Sequence, residues 1–111
     1  SIRQGLENHP QKMELEDLLT GPMALGTLLE KAGFPAVPSA SDTAPAAGDL
    51  FFSGGHNTRI HGSRDQGMID AIQLELNREG LRNESADRMR FAKRFANILV
   101  EYLEAHYSDV F

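Results

Sequence analysis

The sequence predicts an α/β fold: a partial three-layer sheet with flanking helices, reading as the carboxyl part of a larger domain. Three observations predict it. From Met68 to Leu76, Met68, Ile72, Leu74 and Leu76 fall on one side of an alternating pattern, with Asp70 the exception. Ile69, Ala71, Gln73 and Glu75 fall on the other side, which starts apolar and turns polar toward its carboxyl end. That is the pattern of a central strand with a site at its carboxyl edge. Leu50-Phe51-Phe52 offers a second, shorter strand, and apolar helical patterns lie before and after the pair.

The elements follow in order. Residues 11–20 carry Met13, Leu15, Leu18 and Leu19 and predict a short helix that Gly21 stops. Pro22 suits the first turn of a second helix bearing Met23, Leu25, Leu28 and Leu29, with Gly33 as its C′ residue. Residues 11–33 thus form a helical hairpin. Residues 34–49 hold Pro35, Pro38 and Pro45 and predict a connector, with a short extended piece at Ala36-Val37. Residues 50–76 form a strand-loop-strand unit, irregular from Ser53 to Gly67. Asn77 to Glu84 is a polar loop. Ser85 or Asn83 caps a closing helix over 85–107, with Asp87 in its first turn. Phe91, Ala92, Phe95, Ile98, Leu99, Tyr102 and Leu103 form its apolar face. His106 sits at the favourable negative pole and needs no function there.

The 111 residues make one domain, 1–111, of ordinary globular composition, with 41% hydrophobic and 24% charged residues. A strand apolar on both faces wants more sheet neighbours than this chain supplies. The expectation is therefore a homodimer, or a missing amino-terminal half. A start at Ser1 rather than Met fits the latter. The net charge of −5 disfavours nucleic acid and anionic membranes as partners. That charge is uneven: residues 1–50 hold three Lys/Arg against seven Asp/Glu, and residues 51–111 hold eight against nine. No cysteine is present, which excludes disulfides and thiol chemistry and fits a reducing cytoplasm. No apolar run approaches the ~20 residues of a membrane span.

Chemistry concentrates between Ser53 and Glu75. Gly54-Gly55 permits close backbone approach to a ligand. His56, Arg59, His61 and Arg64 follow within nine residues. Gln73 and Glu75 project from one face of the expected strand, about 7 Å apart. A carboxylate at an apolar strand edge is partly desolvated, which suits a general base. An arginine from a glycine-rich loop can fork onto a substrate carboxylate. Plainer readings stand beside these. The Gly pair is a turn, and the histidines lie on the surface. Arg59 and Arg64 pair with Asp65 and Asp70, and Glu75 pairs with Arg78 or Arg82.

The run Phe51-Phe52-Ser53-Gly54-Gly55-His56-Asn57-Thr58-Arg59-Ile60-His61-Gly62, followed by Ile69-Asp70-Ala71-Ile72-Gln73-Leu74-Glu75-Leu76, resembles the carboxyl-terminal signature of the N-formylglutamate amidohydrolase family. The match covers about residues 50–105. The resemblance implies a zinc-type amidohydrolase of the phosphorylase/hydrolase-like class, acting on a small acidic amide substrate. It implies Glu75 as general base, Arg59 as a catalytic and substrate-binding arm, and Gln73 as an orienting group. Gly54, Gly55, His56, His61 and Arg64 complete the substrate-binding set. His56 stands where family members usually have Tyr. The zinc ligands of the family come mainly from the amino-terminal half, and no such cluster precedes residue 50, where His9 is alone. The metal ligands are therefore expected outside this chain, which would be inactive by itself. The alternative is a non-catalytic small α/β domain that dimerises to complete its sheet.

Overall fold

The computed structural model describes residues 2–9, 11–65 and 67–107 of the chain. Among these, helix accounts for 53% and strand for none. The expected α/β fold with a partial three-layer sheet is therefore corrected to an all-helical one. The physical reason lies in what makes a strand. Alternation supplies two faces, but a strand exists only where a neighbour completes its ladder of N–H and C=O groups. Leu50-Phe51-Phe52 and Met68 to Leu76 are coil and enter no such ladder. The strand-loop-strand unit expected over 50–76 and the extended piece at Ala36-Val37 are both absent.

Helix α1, Arg3–Glu7, has no side-chain cap from its own N-cap residue, Ile2. Its free N–H groups are capped from the far half of the chain instead. Arg3 N–H donates to Ser63 Oγ at 2.9 Å. Gln4 and Gly5 N–H donate to the two carboxylate oxygens of Asp70 at 3.0 and 2.5 Å.

Helix α2, Leu15–Thr20, starts at a capping box between Glu14 and Asp17 and ends at Gly21. Pro22 lies in the turn that follows rather than in the first helical turn expected for it. Helix α3, Leu25–Lys31, ends in a Schellman motif. Phe34 N–H bonds the Leu29 carbonyl and Gly33 N–H bonds the Glu30 carbonyl, both at 2.9 Å, with Gly33 at φ +87°. The motif turns Phe34 back into the core.

Between Ser53 and Gly67, where an irregular loop was expected, the chain forms helix α4, His56–His61, and a 3-10 turn, Ser63–Asp65. Gly55 and Gly62 bound α4. A wide turn at Arg78–Arg82 leads into helix α5, Ser85–Tyr107. The expected span of α5 and that observed agree.

The core sits where α3 crosses α5. Leu28, Leu29 and Phe34 pack with Phe91, Ile98 and Tyr102. Phe34 meets Phe91 edge-on, and Phe91 stacks on Phe95. Leu76 and Leu81 close the cluster from one side. One expectation for α5 is corrected: Ala92, placed on its apolar face, is exposed. His106, at the end of the helix, is buried.

A folded monomer of this mass shows about 6,100 Å² of surface. This chain shows 8029 Å². Part of the excess is apolar: Leu50 is 102% exposed, Phe51 67%, Phe52 73%, Met68 84% and Ile69 69%.

Candidate functional site

A cavity of about 540 Å³ opens between the hairpin and the segment 53–74. Leu18, Leu25, Leu29 and Val37 line its apolar side. Gly54, Gly55, His56, Arg59, Arg64 and Gln73 line the polar side. These six belong to the expected site. His61, the last residue of α4, does not line the cavity, nor does Glu75.

Local structure explains the grouping. Gly54 takes φ +95°, a conformation that L side chains rarely adopt, and turns the chain into α4. Helix α4 then carries His56 at its start and Arg59 one turn on. The 3-10 turn presents Arg64. Gln73 reaches in from the neighbouring coil. A Cβ added to Gly55 would lie 2.3 Å from Gln73 Oε1, so the two segments touch at this glycine.

Glu75 lies one hydrogen bond outside the lining. Gln73 Nε2 donates to Glu75 Oε1 at 2.5 Å. Glu75 is exposed, so burial does not supply the desolvation expected at a strand edge. Among the described residues neither Arg59 nor Arg64 makes an ion pair, and no Asp or Glu lines the cavity. Two guanidinium groups facing a cavity without carboxylates favour an anion there.

The expected pairing of Arg59 or Arg64 with Asp70 is replaced by a different network. Asp70 accepts from Gln4 and Gly5 N–H, from the Ser63 hydroxyl, and from Tyr107 Oη at 2.8 Å. Burial alone would raise the Asp70 carboxyl. The hydrogen bonds from Ser63, Tyr107, Gly5 and Gln4 outweigh it and hold the group below the usual carboxylate value. Burial, with the bond to Asp70, pushes the Tyr107 phenol well up. Arg3 adds its side chain: Nε donates to the Ser63 carbonyl at 2.6 Å and Nη2 to the Gly67 carbonyl at 3.0 Å.

A second polar contact joins residues the sequence shows as isolated. His106 Nδ1 lies 3.3 Å from His9 Nε2. Burial holds the His106 imidazole below its ordinary value, with the nearby His9 acting in the same direction and the bond to the Met23 carbonyl opposing them. His9 is thus not alone, but its partner is 97 positions away, beyond the reach of any local pattern.

Zinc, implied by the family resemblance, does not fit the described residues as a catalytic centre. They contain no group of three or more His, Cys, Asp or Glu placed to hold a metal ion. No helix among them is long and apolar enough to cross a membrane. Comparisons with protein-family models, curated proteins and solved structures find no match to this chain.

Proposed function

We propose that the chain carries the substrate-binding face of an N-formylglutamate amidohydrolase-like hydrolase, acting on the amide bond of N-acylated acidic amino acids. The observation behind this reading is the cavity wall formed by Gly54, Gly55, His56, Arg59, Arg64 and Gln73, cationic and free of carboxylates. Arg59 and Arg64 would fork onto the carboxylates of the substrate. The Gly54-Gly55 backbone would let the amide approach closely. Glu75, oriented by Gln73, would take a proton from the attacking water and return it to the departing amine as the C–N bond breaks. The ligands for the family's zinc would lie outside the described residues. The compartment in this reading is the cytoplasm.

The test separates binding from turnover. N-formylglutamate is titrated calorimetrically into the chain and into Arg59→Ala and Arg64→Ala. Loss of a charge-assisted hydrogen bond of about 1.5–3 kcal/mol weakens binding roughly ten- to a hundredfold. Unchanged affinity in both variants would sink the reading. Formate release is followed with and without zinc. Turnover by the chain alone that disappears in Glu75→Gln would overturn the expectation that the chain is inactive by itself and would support Glu75 as the base.

The exposed apolar surface at Leu50–Phe52 and Met68-Ile69 favours a second reading, a non-catalytic domain that associates with a copy of itself. A monomer by light scattering at micromolar concentration would eliminate it.

A further inference from the structure

We infer that His9 and His106 form a two-histidine site for a borderline divalent metal ion, of which zinc is the type, clamping the amino-terminal segment onto the end of α5. The site is independent of the amidohydrolase reading, and neither histidine lines the cavity.

A metal-ligating imidazole holds its outer N–H on a backbone carbonyl, which fixes the tautomer and aims the inner nitrogen. Both rings have that carbonyl. His106 Nε2 lies 3.0 Å from the Met23 carbonyl, and His9 Nδ1 lies 3.0 Å from the Gln11 carbonyl. The inner nitrogens face one another at 3.3 Å. Two zinc–nitrogen bonds of about 2.0–2.1 Å spanning that gap enclose an angle of about 107°, close to tetrahedral. The Ala105 carbonyl is 3.2 Å from His9 Nε2 and offers a third donor, with water for the rest. That carbonyl belongs to the last turn of α5, where the helix dipole favours a cation. Imidazole nitrogen selects zinc, copper or nickel over calcium or magnesium.

Gln11 also lets the site exist without metal. In the free chain His106 donates from Nε2 to Met23, so its Nδ1 needs a donor. His9 Nε2–H supplies it, while His9 Nδ1 accepts from Gln11 N–H at 3.2 Å. When metal displaces the proton from His9 Nε2, a proton takes its place on Nδ1, where the Gln11 carbonyl accepts it. The exchange swaps tautomers with no net gain or loss of protons.

Zinc is titrated calorimetrically into chain stripped with EDTA. One ion per chain is expected, and His9→Gln and His106→Gln should each weaken it at least about tenfold. Two-dimensional imidazole nitrogen spectra of the unsubstituted chain should show the His9 proton moving from Nε2 to Nδ1 on saturation. His106 is 4% exposed, so circular dichroism checks each variant for folding. If His106→Gln unfolds, His9→Gln and the imidazole spectra decide. No saturable binding up to millimolar zinc, binding unchanged by His9→Gln, or an unmoved His9 tautomer would each overturn the proposal.

Discussion

Asp70 shows how much one carboxylate can organise. It stands in coil, yet caps α1, anchors the Ser63 hydroxyl and holds Tyr107 at the end of α5. Asp70→Asn replaces one accepting oxygen with an amide that opposes the N–H of Gln4 or Gly5. The expected loss is about 1–3 kcal/mol, read from urea unfolding. The pH dependence follows from the lowered native pKa. The unfolded chain binds the proton first as pH falls, so the stabilisation is complete above the unfolded carboxylate value. It drains away as pH drops through the native value. As pH falls below the ordinary carboxylate range the unsubstituted chain should lose stability that Asp70→Asn does not. Sequence alone offers Asp70 as a partner for Arg59 or Arg64, because neighbours in sequence are the only neighbours it displays. The actual partners at Gln4 and Gly5 lie 66 and 65 positions away.

Helices carry their own evidence, and strands do not. The leucine spacing of α2 and α3 and the aromatic stripe of α5 are legible because a helix satisfies its hydrogen bonds within one segment. Met68 to Leu76 has an equally clear alternation, but its outcome depends on whether another segment lies alongside. Helix α4 is hidden for the opposite reason. His56-Asn57-Thr58-Arg59-Ile60-His61 has no apolar stripe, and none of its residues is buried. Its bounding glycines look like loop residues although they delimit a helix. Between elements, α3 approaches the 34–49 connector so closely that a Cβ at Gly26 would lie 1.8 Å from the Pro38 carbonyl oxygen. Gly26→Ala gains helix propensity of about 1 kcal/mol. It nevertheless should lose about 1–3 kcal/mol net from the forced backbone shift, visible as a lower urea midpoint.

At the scale of the molecule, the radius of gyration is 14.4 Å, against about 13 Å for a compact chain of this length. Together with the surface excess, this describes a helical core with apolar coil lying outside it. The dye ANS should therefore fluoresce with the native chain, and Phe51→Ser with Phe52→Ser should reduce the signal while changing stability by less than about 0.5 kcal/mol. Six of the expected site residues meet in one cavity wall because they come from two short segments that touch at Gly55. The histidine pair was illegible because its members come from opposite ends of the described chain. That separation also has a kinetic consequence. The α2–α3 pair and the Schellman turn close short loops and can form early. The bonds from α1 and His9 to Asp70 and His106 close loops spanning 65 to 97 positions, whose entropic cost is met only once the rest is in place. Helix α1 should therefore dock last in refolding. Its amides should exchange with deuterium through a partial opening that leaves α3 and α5 protected.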